Sequence, residues 1–145
     1  MPNICNVPTA GAKVVMRTRY EHCPAHVHAM NSGKNWEIKV FFAYADNDPD
    51  HLRIEILKGA PLIAQINEVI DAVEANLDLC RQSWWTIVSD ICLINQNVAI
   101  SPAGVLTKTN VAAGTKVTAA RYQSTHRSVA FRGQTLPTWM VGACP

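Results

Sequence analysis

The sequence predicts an α+β fold of two layers. An antiparallel β-meander carries one long amphipathic helix on one face, with a small β-rich C-terminal extension. Three observations predict it. Apolar residues alternate with period two between residues 13 and 57, the period changes to about 3.6 over the next two dozen residues, and turn residues then punctuate short runs from 95 to 145.

In chain order, K-V-V-M-R-T-R-Y at 13–20 alternates Val14, Met16, Thr18 and Tyr20 against Val15, Arg17 and Arg19, a strand pattern. E-H-C-P-A at 21–25 reads as a tight connection, because Pro24 removes a donor and restricts its predecessor. A short strand follows at 26–30. N-S-G-K at 31–34 predicts a two-residue hairpin loop centred on Ser32-Gly33. N-W-E-I-K-V-F-F-A-Y at 35–44 places Trp36, Ile38, Val40 and Phe42 on one face. The cluster A-D-N-D-P-D at 45–50 is a turn. Residues 51–57 form a fourth strand with Leu52, Ile54 and Ile56 inward.

Leu62, Ile66, Val69, Ile70, Val73, Leu77, Cys80 and Trp84 then fall on one helical stripe, with Pro61 in a first-turn position and Glu68, Asp71, Glu74 and Asp78 on the exposed side. The expected core is Val27, Ile38, Val40, Ile54, Ile66, Val69, Ile70 and Leu77. Residues 1–92 make the first domain, and 93–145 a basic β-rich extension packed on it.

At 145 residues, with 48% apolar and 17% charged residues, the chain can bury a real core. No apolar run is long enough for a transmembrane helix, so no membrane role is expected. The N-terminal residues have neither a basic start nor an apolar stretch, which argues against a signal peptide. The five cysteines at 5, 23, 80, 92 and 144 are odd in number and contain no C-x-x-C, so they read as reduced thiols of a cytoplasmic protein. Residues 1–90 carry eight Lys/Arg against eleven Asp/Glu, whereas 91–145 carry five Lys/Arg and no acid. That basic segment can meet a polyanion or neutralise the chain's own acidic half.

The chemistry concentrates at 22–28, H-C-P-A-H-V-H, which holds three of the five histidines. With the register set by Ser32-Gly33, Val27 faces Ile38 and Ala29 faces Trp36 on the core side. His28 then lies opposite Glu37 and His26 opposite Lys39. A connection over 22–25 places Glu21 opposite His26 and Arg19 opposite His28. One sheet face thus carries Arg17, Arg19, Glu21, His26, His28, Glu37 and Lys39, joined by His51, Arg53 and Glu55. The sequence predicts that His26 and His28 project together from this face, away from the helix.

Three readings of that face stay open. The first is metal-free acid–base chemistry on a phosphodiester, with His22, His26, His28, Arg19, Glu37 and Lys39 as candidate catalytic residues. The second is a zinc site built on His22, His26 and His28, with Glu37 as an alternative third ligand. The third is structural or partner-docking, with no cofactor. Cys23 beside His22 is a weaker nucleophile candidate. His126, in a basic stretch with Tyr122, could contact phosphate. No P-loop, dinucleotide fingerprint or H-E-x-x-H is present.

H-x-P-x-H-x-H after a strand, then a hairpin and an amphipathic helix ending in Trp, resembles a small bacterial family of unknown function. Its members are often described as DhiT-type toxins of type II toxin–antitoxin modules and occur in mobile gene cassettes. The resemblance spans about residues 13–86, and Ala25 stands where the family usually has a second proline. It implies a small intracellular toxin-module component with an antitoxin-like protein partner and RNA as a candidate substrate. The alternatives are a non-enzymatic interaction module, homo-oligomeric or not, and a histidine-based metal-binding protein.

Overall fold

Gly11 sets how the chain begins. Strand β1 (Asn3–Val7) leads into a single 3-10 turn at Pro8–Ala10, and Gly11 closes that turn at φ 62°. A side chain is excluded there twice over. The backbone is left-handed, and a Cβ would stand 2.8 Å from the amide nitrogen of Asn31. That buried amide donates to the carbonyl of Ala10 at 3.0 Å. The chain then returns as β2 (Ala12–Val15). The computed structural model describes residues 3–45, 53–110, 114–134 and 136–145.

Strands β3 (His26–Asn31), β4 (Trp36–Phe41) and β5 (Ile54–Lys58) complete a five-stranded antiparallel meander in the order β1-β2-β3-β4-β5. Two expectations are corrected. The strand expected over 13–20 stops at Val15, and Tyr20 sits fully in solvent at φ 61°. The hairpin loop has four residues, 32–35, because Asn31 Oδ1 accepts the Lys34 N–H at 2.9 Å and Asn35 turns the chain at φ 58°. The register therefore slides by two residues. Val27 pairs with Val40, Ala29 with Ile38, His28 with Lys39 and His26 with Phe41. A slide of two preserves the faces. His51 lies outside the described residues.

The single helix of the sequence reading is two. Helix α1 (Ile63–Ala75) ends where Asn76 leaves helical geometry at φ −116° and its side chain donates back to the Ala72 carbonyl at 2.8 Å. Helix α2 (Leu77–Val88) follows at once and stops at Ser89, which is left-handed. Pro61 precedes the helix, and Leu62 and Ile63 are exposed. Of the expected core, Val27, Ile38, Val40, Val69 and Leu77 are buried, while Ile54, Ile66 and Ile70 pack partly buried against them.

The C-terminal half is larger than the expected small extension. It holds β6 (Asn97–Ile100), β7 (Leu106–Lys108), β8 (Thr115–Gln123), β9 (Ser128–Gly133) and β10 (Leu136–Ala143). These form a second five-stranded antiparallel sheet in the order β10-β9-β8-β6-β7. Its two ends curl together: Val105 bridges Ala143, whose N–H donates to the Gly104 carbonyl at 2.9 Å. Residues of both sheets share one hydrophobic core, with Tyr44 and Tyr122 in ring contact at 5.2 Å. Arg81, fully buried in α2, donates to the Ala43 carbonyl through Nε and Nη2 and to the Pro145 oxygen through Nη1. No helix among the described residues is long and apolar enough to cross a membrane.

The expectation of five reduced thiols is also corrected. The fold brings Cys23 and Cys92 to a Cα separation of 5.5 Å across 69 residues of sequence, and they form a disulfide. Cys5, Cys80 and Cys144 are free, and burial pushes the Cys80 thiol up to about 12.

Candidate metal centre

Three segments build the site. The crossover at 16–25 carries Arg17 and Glu21, β3 carries His26 and His28, and β4 carries Glu37. His26 and His28 are two residues apart on a strand and so share a face. Their ring centroids stand 5.1 Å apart. That face is not open to solvent. Both histidines are 2% exposed, which overturns the expectation of an accessible histidine surface. The His26 ring packs against Trp84 of α2 at 5.1 Å and Phe41 at 5.6 Å, so it does not point away from the helices. Alternation along the strand sorted the faces correctly, but the second face is covered as well.

Each ring is held through Nδ1. That of His26 lies 2.8 Å from the Pro24 carbonyl oxygen, an acceptor, so this nitrogen carries the proton. That of His28 lies 3.0 Å from Glu37 Oε1. Glu37 is itself ion-paired with Arg17. Nε2 of both rings then points at one carboxylate. His26 Nε2 meets Glu21 Oε2, and His28 Nε2 lies 3.4 Å from Oε1. The distances are those of ion pairs, yet neither nitrogen has a hydrogen-bond direction toward a partner. Burial, and next the Arg17 charge, hold His28 below the ordinary histidine value of 6.5, so at neutral pH its Nε2 is a bare lone pair. Acceptor therefore faces acceptor in a buried place, an arrangement that a cation reconciles.

The ligand atoms of Glu21, His26 and His28 all lie within 4.8 Å of one another. Two imidazoles and a carboxylate are a known three-ligand donor set for zinc and for iron(II). The Nδ1 contacts to a carbonyl and a carboxylate are the outer hydrogen bonds that metal-bound histidines use to fix tautomer and orientation.

The sequence-predicted residues divide accordingly. His26, His28 and Glu37 come together, but Glu37 sits behind His28 rather than among the ligands. His22 is exposed and turns its Nδ1 to the Cys23 carbonyl, 3.1 Å away, so Glu21 and not His22 completes the set. Arg19 is exposed, and Lys39 stands half-buried opposite His28 in the register. The expected pairing of Arg19 with His28 is replaced by Val15. His126 is exposed in a one-turn 3-10 helix at Ser124–His126. Arg17, expected on this face, is there and pairs with Glu37, whereas Trp84, which the sequence places only on the helical stripe, packs on His26. The signal available for Glu21 was the spacing E-x4-H-x-H.

Two other features share none of its donor atoms. Cys23, Asp90 and Cys92 also cluster, but the two sulfurs are bonded to each other. A cleft of about 250 Å³ is lined by Glu74, Ala75, Leu77, Asp78, Arg81 and Pro145, and none of the histidines is among them. No family model, curated protein or solved structure matches the chain.

Proposed function

We propose that the protein binds a divalent transition metal of the zinc class through Glu21, His26 and His28, and that the ion ties the 16–25 crossover to β3. The observation that carries this is the convergence of two buried Nε2 atoms, neither with a hydrogen bond, on one carboxylate. Both rings are buried and the Glu21 side chain is 9% exposed, so the three donors lie largely out of bulk water. The crossover that carries Glu21 is itself exposed at Thr18–Tyr20 and His22–Pro24, so the site lies beneath a surface segment. The burial that favours a metal weighs against acid–base work on RNA by the same histidines, which is what the toxin-module resemblance suggested. The Cys23–Cys92 bond speaks for oxidising surroundings rather than the reducing cytoplasm.

The test is elemental analysis and zinc competition titration on protein purified without an affinity tag. One equivalent is expected in the wild type and none in Glu21→Gln or His26→Ala/His28→Ala. A wild type that takes up no metal, or a double variant that binds as the wild type does, removes the reading.

A further inference from the structure

Residues 97–143 build the whole second sheet and contain no Asp or Glu. The outward side of its β8-β9-β10 portion carries a compact cluster. Trp139 on β10 is 40% exposed. The Arg121 guanidinium of β8 lies over its ring at 4.5 Å from the centroid, and that of Arg132 on β9 at 4.7 Å. Val141, two residues along β10, is 54% exposed. The register explains the grouping, since Arg121, Ala130 and Val141 form one row across the three strands.

An Arg stacked on an aromatic ring keeps its in-plane N–H donors available. Among the described residues these two guanidinium groups meet no carboxylate. The cluster therefore offers stacking surface and anion donors together, on a sheet with no negative charge of its own. We infer that this face binds single-stranded nucleic acid, with bases layered on the Arg–Trp stack and phosphates on the guanidinium edges. Charge complementarity alone would fit any polyanion. The half-exposed ring flanked by Val141 favours a ligand that has flat apolar faces between its charges. This inference is independent of the metal site, which lies on the first sheet.

The experiment is fluorescence anisotropy of a labelled 20-nucleotide oligo(dT) with the full chain at 50 and 200 mM salt. A 20-base-pair duplex and heparin serve as competitors. The expected result is binding that weakens with salt. It should fall about tenfold or more in Trp139→Ala and in Arg121→Gln/Arg132→Gln, and be retained in Trp139→Phe. These side chains are exposed, and circular dichroism checks that each variant folds. Absence of binding at 50 mM salt overturns the inference. So does affinity unchanged by Trp139→Ala, or heparin competing as well as unlabelled oligo(dT), which would mean charge alone is read.

Discussion

Glu37 holds His28 by its Nδ1 at 3.0 Å, and this contact turns the other ring nitrogen toward Glu21. The orientation of the proposed ligand is thus set by a carboxylate on the neighbouring strand that would not touch the ion. Arg17 keeps that carboxylate in place.

Removing the charge behind His28 should therefore weaken metal binding without removing a ligand. Glu37→Gln is expected to lower zinc affinity by about 10–100-fold, the usual range for an outer hydrogen bond to a ligating histidine. Arg17→Ala should move it in the same direction. Competition titration against a chelating dye reads both. An unchanged affinity in Glu37→Gln would separate Glu37 from the site.

The lowered value of His28 makes stability pH-dependent. The unfolded chain titrates near the ordinary 6.5, and the folded chain below it. Between the two the unfolded state holds more protons, so the contribution is fully present above about 6.5 and is lost as pH falls through the lower folded value. Denaturant midpoints measured in chelator at pH 7.5, 6.5 and 5.5 should fall across that window, and fall less steeply in His28→Asn. Parallel slopes in the two proteins would contradict the burial argument.

Much of this was legible in the sequence, and the failures have identifiable causes. Period-two alternation in Trp36, Ile38 and Val40 located β4 and its inward face, and parity put His26 and His28 together. Parity says nothing of what covers the other side. Trp84 falls on the apolar helical stripe, but its contact with His26 depends on how α2 crosses β3. The break at Asn76 was hidden because Val73, Leu77 and Cys80 keep helical spacing through it. Glu21 reached both rings by a ten-residue crossover, not by the tight connection expected at 21–25, so the neighbour was right and the route was not.

Cysteine pairing was not legible at all, since 69 residues separate Cys23 from Cys92. Alkylation under denaturing, non-reducing conditions should label three thiols, Cys5, Cys80 and Cys144, and five after reduction. Five labels without reductant would refute the bond.

Closing so long a loop removes much unfolded-state freedom. Cys23→Ser/Cys92→Ser should cost about 4 kcal/mol in chemical denaturation. It should also weaken zinc binding, because Cys23 lies between Glu21 and Pro24, whose carbonyl holds His26. Stability equal to that of the wild type would mean that the bridge constrains little.

The most direct measurement is zinc K-edge X-ray absorption on the loaded protein with its disulfide intact. The account predicts a first shell of nitrogen and oxygen at about 2.0–2.1 Å, with the outer-shell scattering of two imidazoles and no sulfur. A sulfur shell at about 2.3 Å would place the ion at a free cysteine thiolate instead, and a spectrum without imidazole scattering would contradict the Glu21–His26–His28 centre.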